Sequence, residues 1–287
     1  MKETIGKYLS LVKFAHTIFA MPFALAGFFI AVEQSDNFNW MILILVVLCM
    51  VFARNAAMGF NRFIDRDFDA ANKRTAVREI PAGKIKPQKA LLFVVINSVL
   101  FVVTTYFFND NKLAFYLSPV ALAVILGYSL CKRFTSLSHM VLGVGLALAP
   151  IGAYIAVSGK FDTVPVLMSV MVLFWVSGFD IIYALQDIDF DKSQKLKSIP
   201  SSLGIKNSLI LSFILHFFSF VLLIAIGLSA EWGIFYWIGS GIFAALLLYQ
   251  HLIVKPNDLS RINLAFFTTN GIASLIYGLF CILDILI

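Results

Sequence analysis

The sequence predicts an all-α polytopic membrane protein: nine transmembrane helices around a central cavity, with cytoplasmic cap loops. Three observations carry that prediction. Of the 287 residues, 60% are hydrophobic and only 13% charged, with mean hydropathy +0.91. A soluble domain cannot hide that much apolar surface, so lipid is the solvent for most of the chain. Nine apolar runs have the length of roughly 18 to 22 residues that crosses a bilayer. Finally, Lys and Arg crowd into the loops on one side.

The runs are Phe14–Val32, Trp40–Phe60, Leu91–Phe108, Leu113–Leu130, Met140–Val157, Val164–Leu185, Leu209–Leu228, Gly233–His251 and Asn263–Ile287. The first opens after Lys13 with no small-residue cleavage site behind it, so it reads as an anchor and not a removable signal. The second and sixth run directly into acidic motifs. The third and fourth are parted near Lys112 and the fifth and sixth near Lys160, the two bases of the far side. On the near side the N-terminus holds 3 Lys and Arg, residues 61–90 hold 8, residues 131–139 hold 2, residues 186–208 hold 4 and residues 252–262 hold 2. By the positive-inside rule the N-terminus and both acidic motifs face the cytoplasm, which suits a multi-pass protein of the inner (plasma) membrane. The net charge of +6 is thus a topology signal, and nucleic acid is not the partner. Cys49, Cys131 and Cys281 lie far apart without ligand-like spacing, so neither a disulfide frame nor zinc is expected.

The chain is organised around NRFIDRDFD, Asn61 to Asp69, and its echo DIDFD, Asp187 to Asp191. Read as helix continuing from the preceding span, Asn61, Asp65 and Asp69 fall at i, i+4 and i+8 and line one face, and Asp187 and Asp191 repeat the spacing. Six of the 16 acidic residues lie in these two runs, and like charges at that spacing repel unless something positive lies between them. A hard divalent ion bound by oxygen, above all Mg2+, answers that need and shares its shell with phosphate and water. The bland alternative is a stop signal at two helix ends. Against it stand the expense of ionisable groups near membrane depth and the doubled spacing. Asp67 and Asp189 point about half a turn away, where a solvated or salt-bridged role serves equally.

The repeat extends into the loops. Ile80, Pro81 and Gly83 follow the first motif, and Ile199, Pro200 and Gly204 follow the second. Four spans separate the motifs, so both copies point the same way, as in a parallel repeat of about 14–130 and 140–251 plus a ninth helix, within a single domain 1–287. Two acidic helix ends can then meet across one cavity. Short capping helices are expected between Ala70 and Lys89 and between Lys192 and Lys206.

Several bases bear on that cavity. Arg54 lies seven residues before Asn61, two turns deeper in the span, where a guanidinium needs an anion: a substrate carboxylate or one of the aspartates. Lys132 and Arg133, at the exit of the fourth span, either snorkel and set topology or hold a diphosphate. Arg74 and Arg78 share that ambiguity. His16, near Pro22, reads as a hydrogen-bonded packing residue.

NRFIDRDFD with NKRTAVREIPAGKI, and YALQDIDFD with KSIPSSLG, resemble the two signature regions of the UbiA superfamily of intramembrane prenyltransferases. YSLCKRFTSLSH, Tyr128 to His139, is similar to a segment of the 4-hydroxybenzoate polyprenyltransferase branch, and the likeness covers nearly the whole chain. Arg62 stands where many ubiquinone-pathway members carry Asp, and HTIFAMPFAL, His16 to Leu25, is closer to a set associated with menaquinone synthesis. The resemblance implies Mg2+ held by Asn61, Asp65, Asp69, Asp187 and Asp191, with the four aspartates catalytic. The ions would neutralise the diphosphate of an allylic prenyl donor, whose carbocation an electron-rich aromatic acceptor attacks. Arg54 would bind the acceptor's carboxylate or orient Asp65, Lys132 and Arg133 would grip the diphosphate, and Tyr183 would line the pocket near the cation. The acceptor implied is 4-hydroxybenzoate-like, with a dihydroxynaphthoate for menaquinone as the alternative. A cation-coupled transporter is the competing class, but there the carboxylates belong at the bilayer midplane and not at a phosphate-sized mouth. A CDP-alcohol phosphotransferase would need an Asp-Gly-x-x-Ala-Arg run that the sequence lacks.

Overall fold

A computed structural model describes residues 2–12, 19–108 and 112–287 of the chain. The helices are α1 (Lys2–Leu11), α2 (Met21–Ser35), α3 (Trp40–Ile64), α4 (Arg66–Ala71), α5 (Pro87–Thr105), α6 (Leu113–Cys131), α7 (Ser138–Ser158), α8 (Thr163–Ala184), α9 (Ile188–Ser193), α10 (Ile199–Ser229), α11 (Ile234–Ile253) and α12 (Asn270–Leu286). A π-helical segment, Leu264–Thr269, leads into α12. Eight helices among the described residues are long and apolar enough to span, the last counted with its π segment, and α2 is a shorter apolar ninth of 15 residues. The expected count of nine holds in that approximate sense. Part of the first expected run, with His16, falls at residues 13–18, outside the described residues.

Outer faces are apolar and inner faces small or polar, the inversion that lipid demands. Along α10, Ile210, Phe213, Ile214, Phe217, Phe218, Val221 and Ile224 are exposed, while Ser208, Ser212, His216 and Ser219 are buried. Backbone polar groups cannot be left open in hydrocarbon, so helices are the only element here that can cross. α8 is central, packed between α7 and α10; α2 lies on α7, α12 on both α2 and α11, α3 on α5, and α6 bridges α7 and α3. Close approach of α2 and α7 is set by Gly27, where any Cβ would collide with the Pro150 carbonyl. Small residues at such crossings let backbones gain packing that lipid cannot supply.

On the α8 side the interior is solid. Trp175 packs against Phe23 (centroids 5.1 Å), Phe179 (5.0 Å) and Phe243 (5.4 Å), all buried. A polar knot crosses this core: Asn270 accepts from Trp175 Nε1 at 2.9 Å and from Gln250 Nε2 at 2.8 Å. Its own Nδ2 donates to the carbonyls of Ala265 and Phe266, at 3.0 and 3.1 Å, which the π segment exposes. His216 and His251 are paired at 2.9 Å nearby.

The boundaries differ from expectation where polar caps extend apolar runs. α3 continues to Ile64, four residues past Phe60. α10 starts at Ile199, ten residues before Leu209, because Ser198 and Ser201 form a reciprocal capping box and Pro200 suits the first turn. The cap loops also differ from each other. Residues 72–85 form consecutive turns and no helix, whereas Ile199 opens a helical turn that breaks at Gly204. Gly83 and Gly204 occupy the left-handed side of backbone space, φ 70° and 76°, which glycine adopts without steric cost. Helix α1 was not expected; it closes over the first loop, with Leu11 buried beside Ile80, Ile85 and Ala90, and Ser10 bonded to Glu79.

Candidate functional site

Within each acidic motif a span gives way to a short helix. At Asp65 the backbone leaves the helical region (φ −89°, ψ 6°) between α3 and α4, and at Asp187 (φ −106°, ψ 6°) it does so between a 3-10 turn and α9. The expectation of one uninterrupted helix through the first motif is therefore corrected. The register survives the break, because Asp65 N donates to Asn61 O at 2.9 Å and Asp69 N to Asp65 O at 2.7 Å. Asn61, Asp65 and Asp69 consequently still share a wall. Asn61 Nδ2 donates to Asp65 Oδ2 at 3.0 Å.

That wall belongs to a cavity of about 730 Å3 between α3, α6, α7 and α8. Asn61, Asp65, Asp69, Asp187 and Asp191 all line it, as do Arg54, Arg74, Arg78, Lys132 and Tyr183. At its other end it reaches Phe101, Phe108, Leu117 and Phe161, close to the opposite ends of their helices. The head is thus polar and the body greasy.

Four carboxylates meet four cations, one each. Arg133 Nη2 lies 3.0 Å from Asp65, Arg78 Nη1 2.5 Å from Asp69, Arg74 Nη2 2.5 Å from Asp187, and Lys132 Nζ 3.8 Å from Asp191. Lys132 and Arg133, adjacent in sequence, therefore serve opposite motifs. Asp69 and Asp191 are buried, and each keeps one oxygen, Oδ2, without a hydrogen-bond partner. Burial pushes the Asp65 carboxyl up, against the pull of Arg133. Burial also works against the charge of Arg74, but Asp187 and the Tyr183 hydroxyl outweigh it and hold the guanidinium above its ordinary value. No three His, Cys, Asp or Glu side chains among the described residues converge into a ready metal cluster, so each motif offers a pair facing the other across the mouth.

The remaining expected residues separate by geometry. Among the described residues Arg54 forms no ion pair with an aspartate, and its Nε is buried without a hydrogen-bond partner. Arg133 is not part of the cavity wall; it bonds to the carbonyls of Ile64 and Ser129, at 3.0 and 2.8 Å, and fastens the end of α3. Tyr183 stacks on Phe266 (3.9 Å, 26°), and Arg74 donates to its hydroxyl at 3.3 Å. Asp67 is 82% exposed beside Arg66 and Asp189 is exposed, the solvated role for both.

Three cavity residues escaped the sequence reading. Asp180, on α8, lies seven residues before Asp187 and lines the same cavity, and His139 Nδ1 on α7 is 2.7 Å from its Oδ2. The available signal was an acid inside the apolar run Val164–Leu185, which by cost alone marks a site. Asn72, whose Nδ2 is 3.3 Å from Asp187 Oδ1, was also missed.

The family model for the UbiA prenyltransferase family matches residues 20–272. A 4-hydroxybenzoate octaprenyltransferase of Aliivibrio fischeri (strain MJ11) is 34% identical over 245 residues, 83% of this chain and 82% of that protein. One from Photobacterium profundum is 32% identical over 254 residues, 87% and 85% of the two chains. Among solved structures, a UbiA homolog from Aeropyrum pernix K1 superposes with TM-score 0.84 at 31% identity, covering 94% of this chain and 98% of that one. A UbiA homolog from Archaeoglobus fulgidus bound to DMAPP and Mg2+ shares the fold, with TM-score 0.79 at 20% identity over 98% and 99% of the chains.

Proposed function

Because the chain belongs to the UbiA prenyltransferase family, we propose that it moves a polyprenyl group from an allylic prenyl diphosphate to a 4-hydroxybenzoate-like aromatic acid in quinone biosynthesis. The chain is a membrane-embedded prenyltransferase. The observation that carries the finer reading is the meeting of both acidic motifs at one cavity mouth, where Arg74 of the first loop reaches Asp187 of the second motif. In support, curated relatives are named for 4-hydroxybenzoate and an octaprenyl group, and a relative of the same fold holds DMAPP and Mg2+.

The residues present fit Mg2+. Asp69 Oδ2 and Asp191 Oδ2 are buried without hydrogen-bond partners, an expense that a cation would relieve. The four aspartates offer carboxylate oxygens, the preference of a hard ion that keeps phosphate and water in its shell. Asn61, Asp65 and Asp69 on one side and Asp187 and Asp191 on the other would hold it. Bound Mg2+ supplies positive charge to the leaving diphosphate.

The chain's own residues do the rest. Arg74, Arg78 and Lys132 line the mouth and would donate to the diphosphate oxygens, and Arg133 keeps Asp65 in place. The donor's tail lies along the apolar body of the cavity. Tyr183, backed by Phe266, turns an aromatic face toward the allylic cation formed when the C1–O bond breaks. Arg54 binds the acceptor's carboxylate, so that the ring carbon stands against C1. Apolar walls keep out water, which would otherwise quench the cation to an alcohol.

Arg62 favours a second acceptor, a dihydroxynaphthoate for menaquinone. It lines the cavity on the same helix as Arg54, with its Nε buried and unpartnered, which alters the charge that an acceptor meets. The Lys and Arg skew supports a cytoplasmic mouth in the inner membrane, and the matched loop glycines support a single domain built of two repeats. To test the function, protein in lipid nanodiscs is given Mg2+, labelled prenyl diphosphates of graded length and each acceptor in turn. Ring-alkylated product is expected. Donor binding with neither acceptor class alkylated, or solute accumulation in proteoliposomes, would end the reading.

A further inference from the structure

The prenylation chemistry leaves one proton to be disposed of, and the geometry points to Asp180, backed by His139, as the group that receives it. This inference rests on the proposed function. When the ring carbon forms its bond to C1, the electron pair of the C1–O bond departs with the diphosphate and the ring becomes a cation. It must shed one proton. A hydroxyl-bearing ring can lose it from oxygen to a carboxylate, giving a neutral dienone that regains aromaticity as the ring hydrogen shifts to that oxygen. Atoms and charge then balance with no further reagent.

Asp180 is placed for this step and for little else. It is an acid within a lipid-embedded helix, where an ionised side chain without a task is costly. It lies two turns below Asp187 on the cavity side of α8, away from the four carboxylates that meet bases. Its side chain keeps 19% exposure, toward the cavity, while that of His139 behind it keeps 1%. A carboxylate only accepts, so the 2.7 Å contact means that His139 Nδ1 carries the hydrogen and donates it to Asp180 Oδ2. The two helices are tied beside this pair: Ser177 Oγ on α8, one turn before Asp180, donates to the His139 backbone carbonyl on α7 at 3.3 Å. Asp180 is therefore the catalytic base, open to the cavity, and His139 a positioning residue that holds the carboxylate's Oδ2 from the enclosed side.

The test uses nanodisc-embedded protein with Mg2+ and measures three quantities for wild type, D180N, H139A and H139N: donor affinity, donor ionisation (diphosphate released and alcohol formed without acceptor) and transfer to a hydroxyl-bearing acceptor. D180N should lower kcat for transfer about a hundredfold, the usual worth of a general base, with donor affinity and ionisation retained. H139A should lose about tenfold, and H139N, whose amide can replace the Nδ1 donor, should recover most of it. On the O-methyl ether of the acceptor, which has no hydroxyl proton, wild type and D180N should be equally slow. D180N as fast as wild type would overturn the inference alone. So would loss of donor ionisation in step with transfer, since it would place Asp180 in the diphosphate site. A wild type that binds donor yet alkylates no acceptor ends the proposed function and this inference with it.

Discussion

Arg74 reaches Asp187 across 113 residues of sequence, with Nη2 2.5 Å from Oδ2 and Nε 3.1 Å from Oδ1. The fork grips both carboxylate oxygens, while Nη1 bonds the Tyr183 hydroxyl. One side chain from the first loop thus joins the second motif to the aromatic wall. A hydrogen bond to a charged group is worth about 1.5–3 kcal/mol, so R74A should reduce transfer roughly ten- to hundredfold. R74K should recover little of it, because lysine lacks the planar fork. Steady-state kinetics with varied donor checks this, and equal rates for R74K and wild type would contradict it.

Chelation should stop the reaction and added Mg2+ restore it. In D69N and D191N, the two acids with an unpartnered buried oxygen, more Mg2+ should be needed for half-maximal rate, by about tenfold or more. A Mg2+ titration of product formation reads the shift, and unchanged curves in both variants would remove them from the metal site.

Arg54→Ala should slow turnover of carboxylated acceptors at least about tenfold while leaving donor affinity close to wild type. An acceptor without the carboxylate should show no such gap between the two proteins. Parallel losses of donor and acceptor binding would move Arg54 to the diphosphate end.

Asn270→Leu should act on the fold. The change orphans Trp175 Nε1, Gln250 Nε2 and two carbonyls of the π segment. Each buried group left unmade costs about 1–3 kcal/mol, although in membrane proteins the unfolded chain also finds partners, which trims the loss. A lower Tm in detergent is expected, and the π segment carrying Phe266 should loosen, weakening its stack on Tyr183.

The spans were legible because bilayer thickness fixes their length, and the mouth because carboxylates at matched spacing are rare in an apolar chain. What stayed hidden depends on contacts between distant segments. Nothing near Arg133 in the sequence says that it fastens the Ile64 carbonyl instead of facing the cavity. Nothing near Asp65 says that the helix turns there. Asp180 was different: the residue was visible as an acid within a span, but only the fold brings His139 beside it. The start of α10 at Ile199 was readable from Ser198, Pro200 and Ser201, yet hydropathy, which ignores caps, placed it ten residues later.

The two acidic motifs rest on unlike foundations. Beneath Asp65 the bundle is hollow along α3 and α6, while behind Asp187 it is filled by Trp175, Phe243 and Tyr277. One acidic motif therefore overlooks a berth and the other stands on an anvil. Natural variation should divide accordingly, with side-chain size drifting freely around the berth as lipid chains of new lengths are taken up, and the anvil tolerating little.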